Sequence, residues 1–212
     1  DFSFYYAHHM TTIEGGMVST DDPDLFQMLR MLRSHGMVRE ATSAAVRAGY
    51  AERHPDLNPD FIFAYPAYNV RSTELNAVLG RSQLRRLDAN NALRRTNLDA
   101  FLGGLDPARY RTDFRTAGNC NYAFTLILRE PDPALRDRVE AALRQHGIEF
   151  RRGTAGGGNQ LRQPYLRRRF PEIDPAAFPQ VDHVHFFGYY IGNYPGLEGD
   201  RIQELCALLN RL

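Results

Sequence analysis

The densest set of chemically able side chains lies at the start of the 212-residue chain, in Ser3-Phe4-Tyr5-Tyr6-Ala7-His8-His9-Met10-Thr11-Thr12-Ile13-Glu14-Gly15-Gly16. A hydroxyl, two adjacent imidazoles, a carboxylate and a glycine pair fall within one short run. A histidine, with an ordinary pKa of about 6.5, is the natural proton shuttle at neutral pH. Ser3, Thr11 and Thr12 offer hydroxyls to a phosphate or to the backbone, and the glycines permit a positive φ or a close backbone approach. Adjacent histidines lack the i, i+4 spacing that sets two imidazoles on one helix face for a metal. No third ligand stands nearby, so a metal-free site is expected. Taken alone, His8 and His9 read as structural histidines beside a turn, and Phe4, Tyr5 and Tyr6 as core aromatics.

Composition narrows the chemistry. All 26 basic residues are arginine. A chain without lysine supplies no Schiff-base lysine, P-loop lysine or lysine general base. Against 25 acids the formal charge is +1, which lacks the basic footprint of a nucleic-acid binder. Apolar residues at 43% and charged residues at 24% match a globular protein and exclude a disordered or fibrous chain. Cys120 and Cys206 form no CxxC pair, so a disulfide framework, a zinc site or an iron–sulfur cluster is not expected, which suits a reducing cytoplasm. No apolar run reaches the roughly 18 residues of a membrane span, and no signal peptide is evident, so no membrane partner is expected. The chain opens on Asp1 without a methionine, which suggests a fragment or a processed product.

A second group of candidates lies further on. Arg151, Arg152, Arg162 and Arg167 to Arg169 form a basic cluster, read either as a solvated face or as a recognition surface for a sugar-nucleotide diphosphate. Arg162 stands evenly between the two readings, while Arg167 to Arg169 read as solvated. Gly156-Gly157-Gly158 reads as a flexible substrate loop. His183 and His185 alternate along an expected strand.

The opening run resembles the active-site segment of the DegT/StrS-type sugar aminotransferases, in which Ser-Phe precedes a cofactor-binding lysine and Glu-Gly-Gly begins six positions after it. Counting back six from Glu14 lands on His8. This resembles the 3-dehydratase branch typified by the colitose-pathway enzymes, whose segment also reads Phe-Tyr-x-Ala-His-His, although Tyr6 stands where that branch has proline. Tyr68-Asn69-Val70-Arg71 with Glu74-Leu75 is similar to the family's Tyr-Asn-x-Arg helix start. Asn159-Gln160-Leu161-Arg162-Gln163-Pro164-Tyr165 and Ile191-Gly192-Asn193-Tyr194-Pro195-Gly196-Leu197 are similar to the branch's late motifs.

The resemblance implies the C-terminal part of a fold type I pyridoxal-phosphate-dependent transferase. It implies pyridoxamine 5′-phosphate held without a covalent link, or pyridoxal 5′-phosphate, bound weakly or not at all by this portion alone. It makes His8 the acid/base that moves a proton at the cofactor's C4′ carbon while the C3 hydroxyl leaves a nucleotide-linked 4-keto-6-deoxyhexose. Ser3 would meet the cofactor phosphate, Asn69 the phosphate in the neighbouring subunit of a homodimer, and Arg162 and Tyr165 the substrate. An amino donor such as glutamate would recharge the cofactor. A sugar aminotransferase of the same family and a non-catalytic truncated remnant are the competing expectations.

The elements that must position these residues form an α/β chain with an α+β C-terminal lobe. A short strand or turn is expected over Phe2 to Tyr6, and another strand over Met17 to Thr20. Asp21-Asp22-Pro23 starts a helix carrying Leu25, Phe26, Leu29 and Leu32, stopped at Gly36. Residues 37–66, with Pro55, Pro59 and Pro66, read as a long, partly irregular excursion. A long helix from Ser72 to Gly103-Gly104 would have Leu75, Val78, Leu79, Leu87, Leu98 and Phe101 on its apolar side, with a break near 88–91. Then follow a strand over 122–128, a helix from Asp132-Pro133 to Gly147, strands over 148–151 and 184–190, and a last helix through Ile202, Leu205 and Leu209. The expected division is 1–71, the end of a cofactor-binding domain; 72–104, a connecting helix; and 105–212, a small α+β domain.

Overall fold

The computed structural model describes residues 1–154 and 156–212. It divides into two compact units, Asp1–Arg85 and Arg86–Leu212. The division falls inside the expected connecting helix, which is two helices.

The first unit opens with two short antiparallel strands, β1 (Phe2–Ser3) and β2 (Gly16–Met17), in the register Phe2 opposite Met17 and Ser3 opposite Gly16. Helix α1 (Pro23–Leu32) starts where the sequence demands it. The Asp22 carboxylate accepts from the amides of Asp24 (2.9 Å) and Leu25 (3.0 Å), and Pro23 fills the first turn. Such a cap contributes about 1 kcal/mol. Beyond the helix, Gly36 takes φ +78°, and a Cβ there would collide with the carbonyl oxygen of Tyr65.

The expected irregular excursion holds a regular element, α2 (Ala44–Arg53), capped by Ser43. None of its residues is fully buried, and its partly covered apolar side is only Val46, Tyr50 and Ala51, a period too short to announce it. Single 3₁₀ turns at Val38–Glu40 and Pro59–Phe61 complete the segment. Met31, Val38, Ala41 and Ile62 form the small core of this unit, with Val46, Tyr50 and Tyr65 against it.

Helix α3 (Glu74–Leu84) closes the unit. Leu75, Val78 and Leu79, expected to face a core, are exposed at 77%, 64% and 41%. With Phe2, Tyr6, Met17, Val18, Tyr68 and Val70 also exposed, this unit displays far more apolar surface than a lone domain normally does.

The second unit begins with α4 (Leu87–Gly104). The break therefore comes at Arg85-Arg86 rather than near 88–91, and Asp88 sits in the first turn of α4, where an acid suits the helix dipole. Strand β3 (Ala123–Ile127) follows, then α5 (Pro133–Gln145), capped by Asp132 at 3.0 Å from the Leu135 amide. Strand β4 (Phe150–Arg152), α6 (Pro164–Arg169), α7 (Pro179–Phe187), β5 (Gly188–Gly192) and α8 (Gly199–Asn210) complete the chain.

The sheet is antiparallel in the order β3-β5-β4. Its core joins Leu98 and Phe101 of α4, Phe124 and Leu126 of β3, Val139 and Leu143 of α5, Tyr189 and Ile191 of β5, and Ile202 and Leu209 of α8. The Phe101 and Phe124 rings stack with centroids 4.4 Å apart.

The expected strand over 184–190 is a correction. Residues 184–187 are the last turn of α7, started by Pro179, and the strand begins only at Gly188. A Cβ at Gly188 would lie 2.5 Å from the Val184 carbonyl oxygen, so the switch from helix to strand needs glycine. His183 and His185 are therefore helical residues. No helix among the described residues is long and apolar enough to cross a membrane.

Candidate active site

The run from Ser3 to Gly16 is a loop drawn closed at its neck. Outside the β1–β2 pair, the Phe4 amide donates to the Gly15 carbonyl (2.9 Å) and the Thr12 amide to the Phe4 carbonyl (2.9 Å). The Thr11 hydroxyl donates to the Phe4 carbonyl (3.3 Å), and Thr12, almost fully buried, donates through its hydroxyl to the Glu14 carbonyl (2.7 Å). Of the two readings open for these threonines, the backbone has both. Ile13 between them takes φ +75°, a left-handed conformation that a β-branched residue rarely adopts.

His8 lies at the head of this loop, half-buried, its amide donating to the Tyr5 carbonyl at 3.0 Å. The Tyr5 ring stands edge-on to the imidazole, with centroids 6.2 Å apart. Ser3 is exposed, and its hydroxyl oxygen accepts from the Tyr5 amide at 3.4 Å. Tyr5 thus links Ser3 to His8 within one loop. The core role expected for the aromatics fails for Tyr5 and Tyr6, which are exposed, while Phe4 is half-buried.

Behind the neck stands α3. Asn76 donates through Nδ2 to the carbonyls of Thr12 (2.9 Å) and Glu14 (3.3 Å). Its Oδ1 accepts from the amide (3.0 Å) and hydroxyl (2.7 Å) of Thr73 at the start of the helix. One turn on, a Cβ at Gly80 would lie 3.2 Å from the Thr12 methyl group. Asn76 was not singled out in the sequence. Its signal is the spacing Thr73-x-x-Asn76, a capping box with asparagine in the usual place of glutamate or glutamine.

Asn69 sits on a well-held backbone. The Ser34–Asn69 bridge is flanked by bonds from the His35 amide to the Tyr68 carbonyl (2.9 Å) and from the Val70 amide to the Arg33 carbonyl (2.8 Å). Arg71 next to it reaches the Ser34 hydroxyl (2.8 Å) and the Glu40 carboxylate (3.1 Å). The Asn69 residue itself is exposed.

In the second unit, Asn159 is 2% exposed and ties a turn together. Its Nδ2 donates to the Pro175 carbonyl (3.2 Å) and to Asp182 (2.8 Å), its Oδ1 accepts from the Leu161 amide (3.1 Å), and its amide reaches His185 Nδ1 (3.2 Å). Asp182 also takes the guanidinium fork of Arg162, through Nε at 2.8 Å and Nη2 at 2.5 Å. Arg162 holds the Asp182 carboxyl at about 2, well below the usual carboxylate range, with the Asn159 bond assisting against partial burial. Gly158, at φ +81°, packs so tightly on His185 that no side chain fits. Tyr165 is exposed and donates to Gln160 Oε1 at 3.0 Å.

The arginine cluster is not one surface. Arg162 pairs with Asp182, while Arg144 and Arg152 both pair with buried Glu140, at 2.7 and 2.6 Å. Burial pushes Glu140 up, but the two arginine bonds outweigh it and bring the carboxyl below its ordinary value. Arg151 lies over the Tyr190 ring, and Arg167 to Arg169 occupy the last turn of α6.

The Gly192-Asn193-Tyr194-Pro195 motif is a latch. Asn193, 1% exposed, donates through Nδ2 to the carbonyls of Arg94 (2.9 Å) and Asn121 (2.8 Å) and accepts at Oδ1 from Asn97 (3.1 Å). Buried Arg94 donates to its carbonyl oxygen.

The model of the DegT/DnrJ/EryC1/StrS aminotransferase family matches residues 1–210. The chain belongs to that family. Among its relatives is the GDP-4-keto-6-deoxy-D-mannose 3-dehydratase of Yersinia pseudotuberculosis, 28% identical over 211 residues, covering 99% of this chain and 53% of the relative. The protein of the same description from Escherichia coli O55:H7 is 28% identical over 212 residues, with 98% and 53% covered. A solved E. coli GDP-4-keto-6-deoxy-D-mannose-3-dehydratase with bound hydrated PLP superimposes with a TM-score of 0.79 at 26% identity, covering 98% of this chain and 53% of that one. A sugar aminotransferase structure from Streptococcus pneumoniae, at 15% identity and a TM-score of 0.70, shares the fold. The chain thus spans about half the length of the curated relatives it matches, and its mixed α/β fold matches that part of a fold type I transferase.

Proposed function

We propose that the complete protein is a sugar-nucleotide 3-dehydratase dependent on pyridoxamine phosphate, and that this chain is its C-terminal portion. The observation that carries the reading is His8. By the resemblance it takes the place of the family's cofactor lysine, six positions before Glu14, and it lies at the head of a loop closed by its own backbone in a chain that has no lysine. An imidazole is a general acid–base group, but it cannot tether an aldehyde cofactor.

The donor set suits a non-covalently held pyridoxamine phosphate. Ser3, exposed beside His8 through Tyr5, is the hydroxyl proposed for its phosphate. Exposed Asn69 is proposed for the phosphate in the partner subunit of a homodimer, and the apolar surface around Tyr68, Val70, Leu75 and Val78 supports an interface there. When bound, the cofactor supplies the electron sink for breaking the C3–oxygen bond of a nucleotide-linked 4-keto-6-deoxyhexose. His8 moves the proton at the cofactor's C4′ carbon and returns one to the departing hydroxyl. Arg162, oriented by Asp182 and left with Nη1 for a ligand, and Tyr165 are proposed to face the substrate. Glutamate is the proposed amino donor and the cytoplasm the proposed location. The first unit then belongs to the end of the cofactor-binding domain and the second to the small C-terminal domain.

The test is His8→Asn in the complete protein. The variant should bind pyridoxamine phosphate as before and lose C3-hydroxyl elimination by about 10²–10⁴ in rate. His8→Lys should form a borohydride-fixable link to pyridoxal phosphate. Undiminished dehydration by His8→Asn would show that another group is the base.

A further inference from the structure

We propose that Asn76 is the positioning residue of the His8 loop, acting through the loop's backbone and not on substrate. This rests on the reading of His8 as the acid/base. A primary amide has two acceptor sites and two donor hydrogens, and Asn76 uses all four between two structures that must keep register. Its oxygen takes both Thr73 donors at the start of α3, and its nitrogen holds the Thr12 and Glu14 carbonyls at the loop neck.

Those two carbonyls flank Ile13, whose φ of +75° is unfavourable for a β-branched residue. The Thr12 hydroxyl already spans Ile13 to the Glu14 carbonyl, and Asn76 adds a clamp from outside the loop on both carbonyls. Thr12 is in turn bonded by its amide to Phe4, the residue that begins the chain segment leading to His8. Gly80, one turn further along α3, leaves room for the Thr12 methyl group at 3.2 Å from where a Cβ would stand. Asn76 and Gly80 together make a seat for Thr12. A shift of this seat moves both ends of the segment that presents the imidazole, and a misplacement of about 1 Å can cost roughly 10²-fold in rate.

The decisive variant is Asn76→Asp in the complete protein. It keeps a carboxylate oxygen for Thr73 and an acid at the helix start, while replacing the donor aimed at Thr12 and Glu14 by an acceptor that repels them. Hydrogen exchange at the Phe4 and Thr12 amides should quicken. With a GDP-linked 4-keto-6-deoxymannose, pyridoxamine phosphate and glutamate, kcat should fall about 10²-fold while KM stays within about twofold. Gly80→Ala, which retains Asn76 and favours the helix, should lower kcat in the same sense by pressing on Thr12. It keeps the test open if Asn76→Asp folds poorly.

Faster exchange with unchanged kcat, or kcat and KM changing together with global stability, would overturn the positioning role. His8→Asn in parallel separates the two proposals. If it still dehydrates, the base assignment fails. If it is dead while Asn76→Asp is fully active, only the inference about Asn76 fails.

Discussion

Replacing Asp182 by alanine removes the acceptor on which the 158–163 turn converges. Three donors lose a partner: Arg162 Nε, Arg162 Nη2 and Asn159 Nδ2. They do not count equally. The Arg162 side chain is 26% exposed, and its nitrogens can be rehydrated, so surface pairing of this kind contributes little. Asn159 is 2% exposed, and its Nδ2 is left with only the Pro175 carbonyl at 3.2 Å. The loss of a buried bond to a charged group costs about 1.5–3 kcal/mol. At roughly 2–4 °C per kcal/mol for a chain of this size, the transition of the second unit should fall by roughly 3–12 °C.

Urea titration followed by far-UV circular dichroism gives the free-energy difference, and Asp182→Asn, which still offers Asn159 an acceptor, should lose less. The pH dependence supplies an independent check. The Asp182 carboxyl is held at about 2 against an ordinary 3.8, so the folded state binds its proton less readily than the unfolded chain. The contribution is complete above about pH 4 and disappears as the pH falls from there through 2. The stability gap between the natural protein and Asp182→Asn should close over that interval. A gap of under about 0.5 kcal/mol for Asp182→Ala at pH 7, or one that ignores pH between 5 and 2, would refute this account of the turn.

Asn69→Ala in the complete protein should still dimerise but hold pyridoxamine phosphate more weakly, by the 1.5–3 kcal/mol typical of a bond to a charged group; unchanged affinity by calorimetry would remove Asn69 from the shared site. Gly36→Ala should destabilise the first unit by about 2–4 kcal/mol, since the left-handed backbone and the collision with the Tyr65 carbonyl act together. Limited proteolysis between α1 and α3 reads that loss directly, and a wild-type digestion pattern would contradict it.

What the sequence makes legible is local. Asp22-Pro23 and Asp132-Pro133 start helices because a carboxylate one residue before a proline satisfies orphan amides wherever it occurs. The spacing from His8 to Glu14 is equally local. What stays hidden depends on partners far along the chain or on surface the pattern cannot assign. Helix α2 has no fully buried residue and only Val46, Tyr50 and Ala51 against the core, too few to stand out as a period. The Val184 to Phe187 run reads as strand because its apolar residues continue into β5, and only the proline at 179 hints at the helix. Leu75, Val78 and Leu79 have helical spacing but no core beneath them in this unit, so the period predicts the helix and misplaces its face. Arg162 and Asp182 carry no mutual signal, because the fold alone brings them together.

The position of β5 also sets an order in time. Strands β3 and β4 come earlier in the chain, and among the described residues they do not pair with each other; each pairs with β5, at Phe124–Ile191 and Phe150–Ile191. Contacts of such separation demand loop closure before they return any stabilisation. While the protein is being synthesised, nothing can complete this sheet until Gly188–Gly192 has emerged, and the Asn193 latch onto α4 closes one residue later. The small core of the first unit, by contrast, draws only on residues between Met31 and Ile62. Both the central strand and the latch therefore lie beyond Phe187, and β3 and β4 gain their common partner only after every residue between them and Gly188 has been made.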